Sequence, residues 1–146
     1  MVRKAEEKDL VALAEMANIM WDSHSVKDLI DKFADVVDSE RAQVFLKYVQ
    51  NIPVGFAQCG LRYDYVEGTD SSPVGYLEGI FVKEEYRKQG NAKELLLACE
   101  QWAKEQGCME FASDCEISNK GSFDFHMSMG FEEANRVICF TKKLVP

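Results

Sequence analysis

Tyr76-Leu77-Glu78-Gly79-Ile80-Phe81-Val82, followed by Glu84-Glu85-Tyr86-Arg87-Lys88-Gln89-Gly90-Asn91-Ala92, decides the fold. The first stretch is a nearly unbroken apolar run rich in strand formers, which predicts a buried central strand with one charge, Glu78, set inside it. The second turns into a helical pattern: Leu95, Leu96, Cys99, Trp102 and Ala103 share one face, and Gly107 stops the helix. A buried strand that passes through a glycine-containing loop into a long amphipathic helix predicts an anion site. Backbone N–H groups at a helix start lack intrahelical partners, the helix dipole is positive there, and a glycine lets a phosphate come close. Arg87, Lys88 and Lys93 place dense positive charge at that turn.

Working outward from this core, Val2 to Lys4 reads as a short opening strand. A helix is predicted from Asp9, with Leu10, Leu13, Ala14, Ala17 and Met20 at helical spacing and Trp21 closing the run. A second helix follows from about Ser25. The period then changes, giving strands over Gln43–Val49 and Val54–Tyr65 as an antiparallel hairpin turned at Asn51-Ile52-Pro53. Residues 67–73 have loop chemistry. Glu110–Cys115 reads as another strand, Asn119–Met129 as a short helix ended by Gly130, and Arg136–Lys143 as the last strand. The expectation is an α/β (α+β) fold: a mixed, mainly antiparallel sheet flanked by helices, forming one domain over residues 1–146.

The 146 residues fit a single core, and no apolar run is long enough to span a bilayer. A net charge of -8 argues against nucleic acid as a partner and suits a cationic one. The cysteines Cys59, Cys99, Cys108, Cys115 and Cys139 are odd in number and never spaced C-x-x-C. They read as reduced, mostly buried thiols of a cytoplasmic protein; no metal site and no membrane association is expected.

Arg87-x-x-Gly90-x-Ala92, in its strand-loop-helix setting, resembles the acetyl-CoA motif of the GNAT superfamily of N-acetyltransferases. The order of the later elements and the Gly130-Phe131 pair agree with it. The strings L-R-Y-D-Y-V-E-G-T-D-S-S-P-V-G-Y-L-E-G-I-F-V, F-A-S-D and G-F-E-E are similar to the aminoglycoside 6'-N-acetyltransferases. The resemblance implies acetyl-CoA as co-substrate, a cationic small-molecule amine as acceptor, and a homodimer. It implies that Ile80, Phe81 and Val82 line the pantetheine arm, with the Val82 N–H polarising the thioester. Arg87, Lys88, Gln89, Gly90, Asn91, Ala92 and Lys93 would wrap the pyrophosphate, and Asn119 would touch the CoA farther along. Trp21, Tyr65, Glu78 and Asp114 match substrate-contacting positions; Asn135 stands where the relatives carry an acidic contact, and His126 where many carry a tyrosine general acid.

The residues themselves support an anionic groove. Asp64, Glu67, Asp70 and Glu78 fall in a stretch, residues 63–82, with no basic residue, and Glu110, Asp114 and Glu116 cluster on the neighbouring segment. Glu78 is either half of a structural ion pair or the base that deprotonates the attacking amine. Transfer to another amine, such as a polyamine or protein amino group, and CoA binding without catalysis remain alternative readings.

Overall fold

A computed structural model describes all 146 residues, which divide into two compact units, Met1–Asp114 and Cys115–Pro146. The first unit is built on a five-stranded sheet in the order β1-β2-β3-β4-β5: β1 Val2–Lys4, β2 Ala42–Val49, β3 Ile52–Arg62, β4 Val74–Val82 and β5 Phe111–Ser113. All neighbours are antiparallel except β4 and β5, which run parallel because helix α3, Asn91–Glu105, crosses between them. Helices α1, Leu10–Met20, and α2, Val26–Val37, precede the sheet, and the Ser25 hydroxyl caps α2 by accepting the Asp28 N–H at 3.1 Å.

Strand alternation divides the core between two faces. Phe56 points toward α1 and α2, where it packs with Leu13, Ala17, Leu29, Phe33 and Phe81. Its ring meets Phe33 at 5.7 Å and Trp21 at 6.1 Å. The adjacent Gly55 faces the opposite side, where a Cβ would come within 3.3 Å of Leu95 on α3. Leu95, Leu96, Cys99, Trp102 and Ala103 are all buried, as the apolar face of α3 requires.

The hairpin turn lies at Gln50 and Asn51, both with positive φ, so Ile52 and Pro53 belong to β3 and not to the turn. At the other end β3 stops at Arg62, the last residue with a partner on β4 (Val74), three residues short of the expected Tyr65. Two antiparallel pairs carry irregularities. The one that shapes the site is in β3–β4, where Gln58 opposes Gly79 but Cys59 opposes Leu77, leaving Glu78 as the extra residue of a β-bulge.

In the second unit, α4 spans Lys120–Ser128, and Asn119 caps it through its side-chain oxygen, which accepts the Ser122 N–H at 3.1 Å. Phe131 turns back to donate its N–H to the His126 carbonyl at 3.1 Å. The expected strand over Arg136–Lys143 is not formed. An alternating apolar pattern is only half of a strand's requirement, since a ladder needs a neighbour, and Val137, Ile138 and Phe140 are exposed.

Candidate active site

The turn from β4 into α3 has the features of an anion cradle. After Val82, a 3-10 turn at Glu84–Tyr86 leads to Lys88 and Gly90, which have φ of +61° and +85°. At Gly90 the left-handed backbone opens directly onto α3, and a Cβ placed there would meet nothing within 4 Å. The first N–H groups of α3 therefore point past an open glycine, as pyrophosphate binding requires. Two side chains hold this loop in shape. Arg87 donates through Nε to the Val82 carbonyl at 2.8 Å, and buried Asn91 donates to the Tyr86 carbonyl at 2.9 Å. Lys88 and Gln89 are exposed along the cradle, and Gln89 reaches back to the Glu85 carbonyl at 3.2 Å.

β4 also offers an unused edge. β5 pairs only with Gly75, Tyr76 and Leu77, so the strands part before Glu78. The Lys83 N–H donates to Val54 on β3 at 2.8 Å. Because N–H groups alternate between the two edges of a strand, those of Val82 and Ile80 face the side that β5 has left. An open strand edge leading to a helix N-terminus fits an extended arm ending in a pyrophosphate, and so fits acetyl-CoA.

Of the acidic side chains, Glu78 opens onto the α1–α2 face of the sheet. Glu78 lies in a cavity of about 290 Å³ with Trp21, His24, Leu29, Lys32, Phe33, Val36 and Gln58. Trp21 covers Gly79, with ring carbons 2.7 and 2.9 Å from where a Cβ would stand. A larger open hollow of about 600 Å³ is lined by residues 39–43 with Leu61, Tyr63, Trp102 and Gln106. No residue that the sequence marks for chemistry lines it, and we place the site in the smaller cavity.

Glu78 is not the buried lone charge that a central strand suggests. The bulge turns it outward, so that it is partly exposed, and Arg62 pairs with it: Nη2 to Oε1 at 2.8 Å and Nε to Oε2 at 3.3 Å. Arg62 also lies over the Tyr76 ring, 3.4 Å from its centroid, and Tyr76 donates its hydroxyl to Asp114. Burial works against the Arg62 charge, but Glu78, with Tyr76 and Asp114 beyond it, outweighs burial and raises the guanidinium above its ordinary range. Burial and the bond to Asp114 push the Tyr76 phenol far up, so it stays protonated. Sequence reading missed Arg62, which stands one residue outside the acidic stretch and pairs with Val74 in the ladder; its reach along the face to Glu78 follows only from the β3–β4 register.

The remaining sequence-marked residues fall in other settings. Tyr65 is exposed on the loop after β3, where its hydroxyl accepts the Gly68 N–H at 3.3 Å. Glu110 anchors the same loop by accepting from Asp70 N at 2.9 Å and Ser71 Oγ at 2.5 Å. In the second unit, the Asn135 side chain accepts the Arg136 N–H at 2.8 Å, and Asn119 serves as a helix cap. His126 holds the Ser122 carbonyl at 2.6 Å with Nδ1 and meets the Phe131 ring edge-on at 5.0 Å. A carbonyl only accepts, so Nδ1 carries the proton, and Nε2 can donate one only from the doubly protonated imidazolium. Cys59, Cys99 and Cys108 are buried, and the hydrogen bond to Cys59, with burial, pushes the Cys99 thiol well up. Such thiols are packed, inert groups.

Residues 13–131 match the family model of the Acetyltransferase (GNAT) family. The chain is 37% identical over 145 residues to the aminoglycoside N(6')-acetyltransferase type 1 of Serratia marcescens, covering 99% of both chains. It is 35% identical to the enzyme of the same name from Acinetobacter haemolyticus, covering 98% of both. Among solved structures, aminoglycoside acetyltransferase AAC(6')-Iy in complex with the bisubstrate analog CoA-S-monomethyl-acetylneamine superposes with a TM-score of 0.94 at 34% identity, covering 98% of this chain and 97% of that one. The apo AAC(6')-IG from Acinetobacter haemolyticus also gives 0.94 at 34% identity, covering 99% of both. With the parted strands β4 and β5, the glycine cradle at α3 and these relatives together, the chain belongs to the GNAT acetyltransferase family, within the group of the aminoglycoside N(6')-acetyltransferases.

Proposed function

We propose that this enzyme acetylates the 6'-amino group of aminoglycosides with acetyl-CoA and thereby confers resistance to them. The observation that carries this reading is the meeting of Glu78 and Trp21 in one cavity beside the open edge of β4. Acetyl-CoA, when bound, supplies an already activated acyl group, so no acyl-enzyme is needed. Val82 and Ile80 offer N–H groups along the open edge, and that of Val82 polarises the thioester carbonyl and receives the developing oxyanion. The α3 N-terminus with Lys88, Gly90 and Lys93 holds negative charge, while Arg87 and Asn91 keep the loop rigid. Glu78 takes the amine's proton, directly or through a water, and Trp21 walls the cavity. Asp114, fixed by Tyr76, holds a remote ammonium, and exposed Tyr65 extends the groove.

The family match runs from residue 13 to 131 and so crosses both units, which supports their working as one domain. A homodimer would cover Val137, Ile138 and Phe140, which are exposed apolar side chains. Free cysteines support a cytoplasmic location, and the charge of -8 supports a small cationic partner in place of nucleic acid. Release of CoA should be measured with aminoglycosides bearing a 6'-amine, with their 6'-hydroxyl counterparts and with spermidine. Turnover confined to the first group is expected; equal turnover of spermidine would replace the aminoglycoside with a general polyamine as substrate.

A further inference from the structure

Arg62 fills the position in the acidic groove that a substrate ammonium would take. Its guanidinium touches Glu78 through two nitrogens, stacks on Tyr76 and lies in the field of Asp114. Strand register accounts for the gathering. Gln58, Gly60 and Arg62 alternate onto one face of β3, and Tyr76 and the bulged Glu78 lie on the same face of β4. Gly60, with no side chain, leaves the space between them open: a Cβ there would lie 3.8 Å from a Glu78 oxygen. The pair is accessible, with the Arg62 side chain 43% and the Glu78 side chain 31% exposed. Accessible ion pairs contribute little, on the order of a fivefold equilibrium at most, so this one can open.

We propose that Arg62 is a specificity-determining resident cation, which an incoming amine must displace from Glu78. Only another cation can take its place without leaving the carboxylate unpaired, so the exchange favours protonated amines over neutral hydroxyls at this position. Because the free enzyme holds the site closed part of the time, apparent affinity falls by the fraction closed. This inference rests on the proposed aminoglycoside activity and adds a residue to it.

The test is the steady-state kinetics of Arg62→Gln and Arg62→Lys with aminoglycoside acceptors, after thermal melts show that both fold. Arg62→Gln is expected to lower KM by roughly two- to fivefold, the strength of the lost ion pair. Arg62→Lys should stay near the parent enzyme. Guanidinium chloride at low, non-denaturing concentration should compete with the acceptor in Arg62→Gln more strongly than in the parent, because it can enter the vacated position. A structural brace would not produce that competition. A raised KM or a fallen kcat in Arg62→Gln, with Arg62→Lys restoring it, would make Arg62 a binding or bracing group and overturn the proposal. Equal guanidinium sensitivity of parent and variant would also overturn it. Failure of the parent enzyme to acetylate any aminoglycoside would instead remove the functional reading itself.

Discussion

Trp21 occupies the space that any side chain on Gly79 would need, with its ring 2.7 Å from the missing Cβ. The end of α1 and the middle of β4 are therefore fitted to each other, and the cavity wall depends on a hydrogen atom at residue 79. Gly79→Ala should push the indole aside and reshape the space beside Glu78. Misplacing a positioning group by about 1 Å costs on the order of 10²-fold in rate. We expect kcat/KM to fall toward that range while acetyl-CoA affinity stays within about twofold. Trp21 fluorescence and calorimetric titration check the two halves; unchanged activity with a shifted emission would detach Trp21 from catalysis.

Gly90 tests the cofactor cradle. A Cβ there meets no protein atom within 4 Å, so the main cost of Gly90→Val within the protein is that of its backbone, about 1–2 kcal/mol for a left-handed φ. Any further effect belongs to the ligand. Acetyl-CoA affinity should drop by at least about tenfold, the equivalent of losing one or two phosphate hydrogen bonds. A folded variant with parental affinity in calorimetry would move the pyrophosphate elsewhere.

Glu78 and Asp114 should separate kinetically. Glu78→Gln is expected to slow kcat by roughly 10²–10⁴-fold for every acceptor. Asp114→Asn should raise KM, most for acceptors with several amines, and leave kcat nearly unchanged. The reverse pattern, with KM moving for Glu78 and kcat for Asp114, would exchange their roles.

Asp9 governs stability at low pH. It is buried, and Arg3 is the main cause that holds its carboxyl down to about 2, helped by the Glu6 N–H and the Tyr48 hydroxyl and opposed by burial. A depressed carboxyl stabilises the fold above its unfolded value of 3.8, and this contribution is lost as pH falls through about 2. Its size is about 2 kcal/mol by linkage. Asp9→Asn should lower unfolding free energy by about that much at pH 7 and by progressively less toward pH 2. Urea unfolding across that range measures it; a difference that persists undiminished at pH 2 would assign the effect to packing.

The elements with strong periodicity were legible in the sequence: α1, α2, α3 and the central β4 begin and end within a few residues of expectation. So was the turn at Gly90, which stands where a buried strand gives way to an amphipathic helix and takes the left-handed backbone that opens α3. What composition could not supply was geometry across the chain. A bulge appears only when β3 and β4 are aligned, so Glu78 read as a buried charge. Arg62 carried no reading of its own, because its contact with Tyr76 depends on the same alignment. Likewise the apolar alternation of residues 136–143 is a local pattern, whereas a strand is a relation to a neighbour.

The bulge also makes Glu78 supernumerary in the ladder. Without it, Leu77 opposite Cys59 and Gly79 opposite Gln58 would follow one another in unbroken alternation from Tyr76 to Val82. A chain one codon shorter there should fold into a more regular sheet, with Leu77, Gly79 and Phe81 keeping their present faces. It would lack only the carboxylate. Sequence comparison that counts substitutions alone would treat such a deletion as a framework lesion, yet the framework is what it would spare. A folded, silent paralogue is one deletion away from this enzyme, and it would be recognised by the missing residue between Leu77 and Gly79.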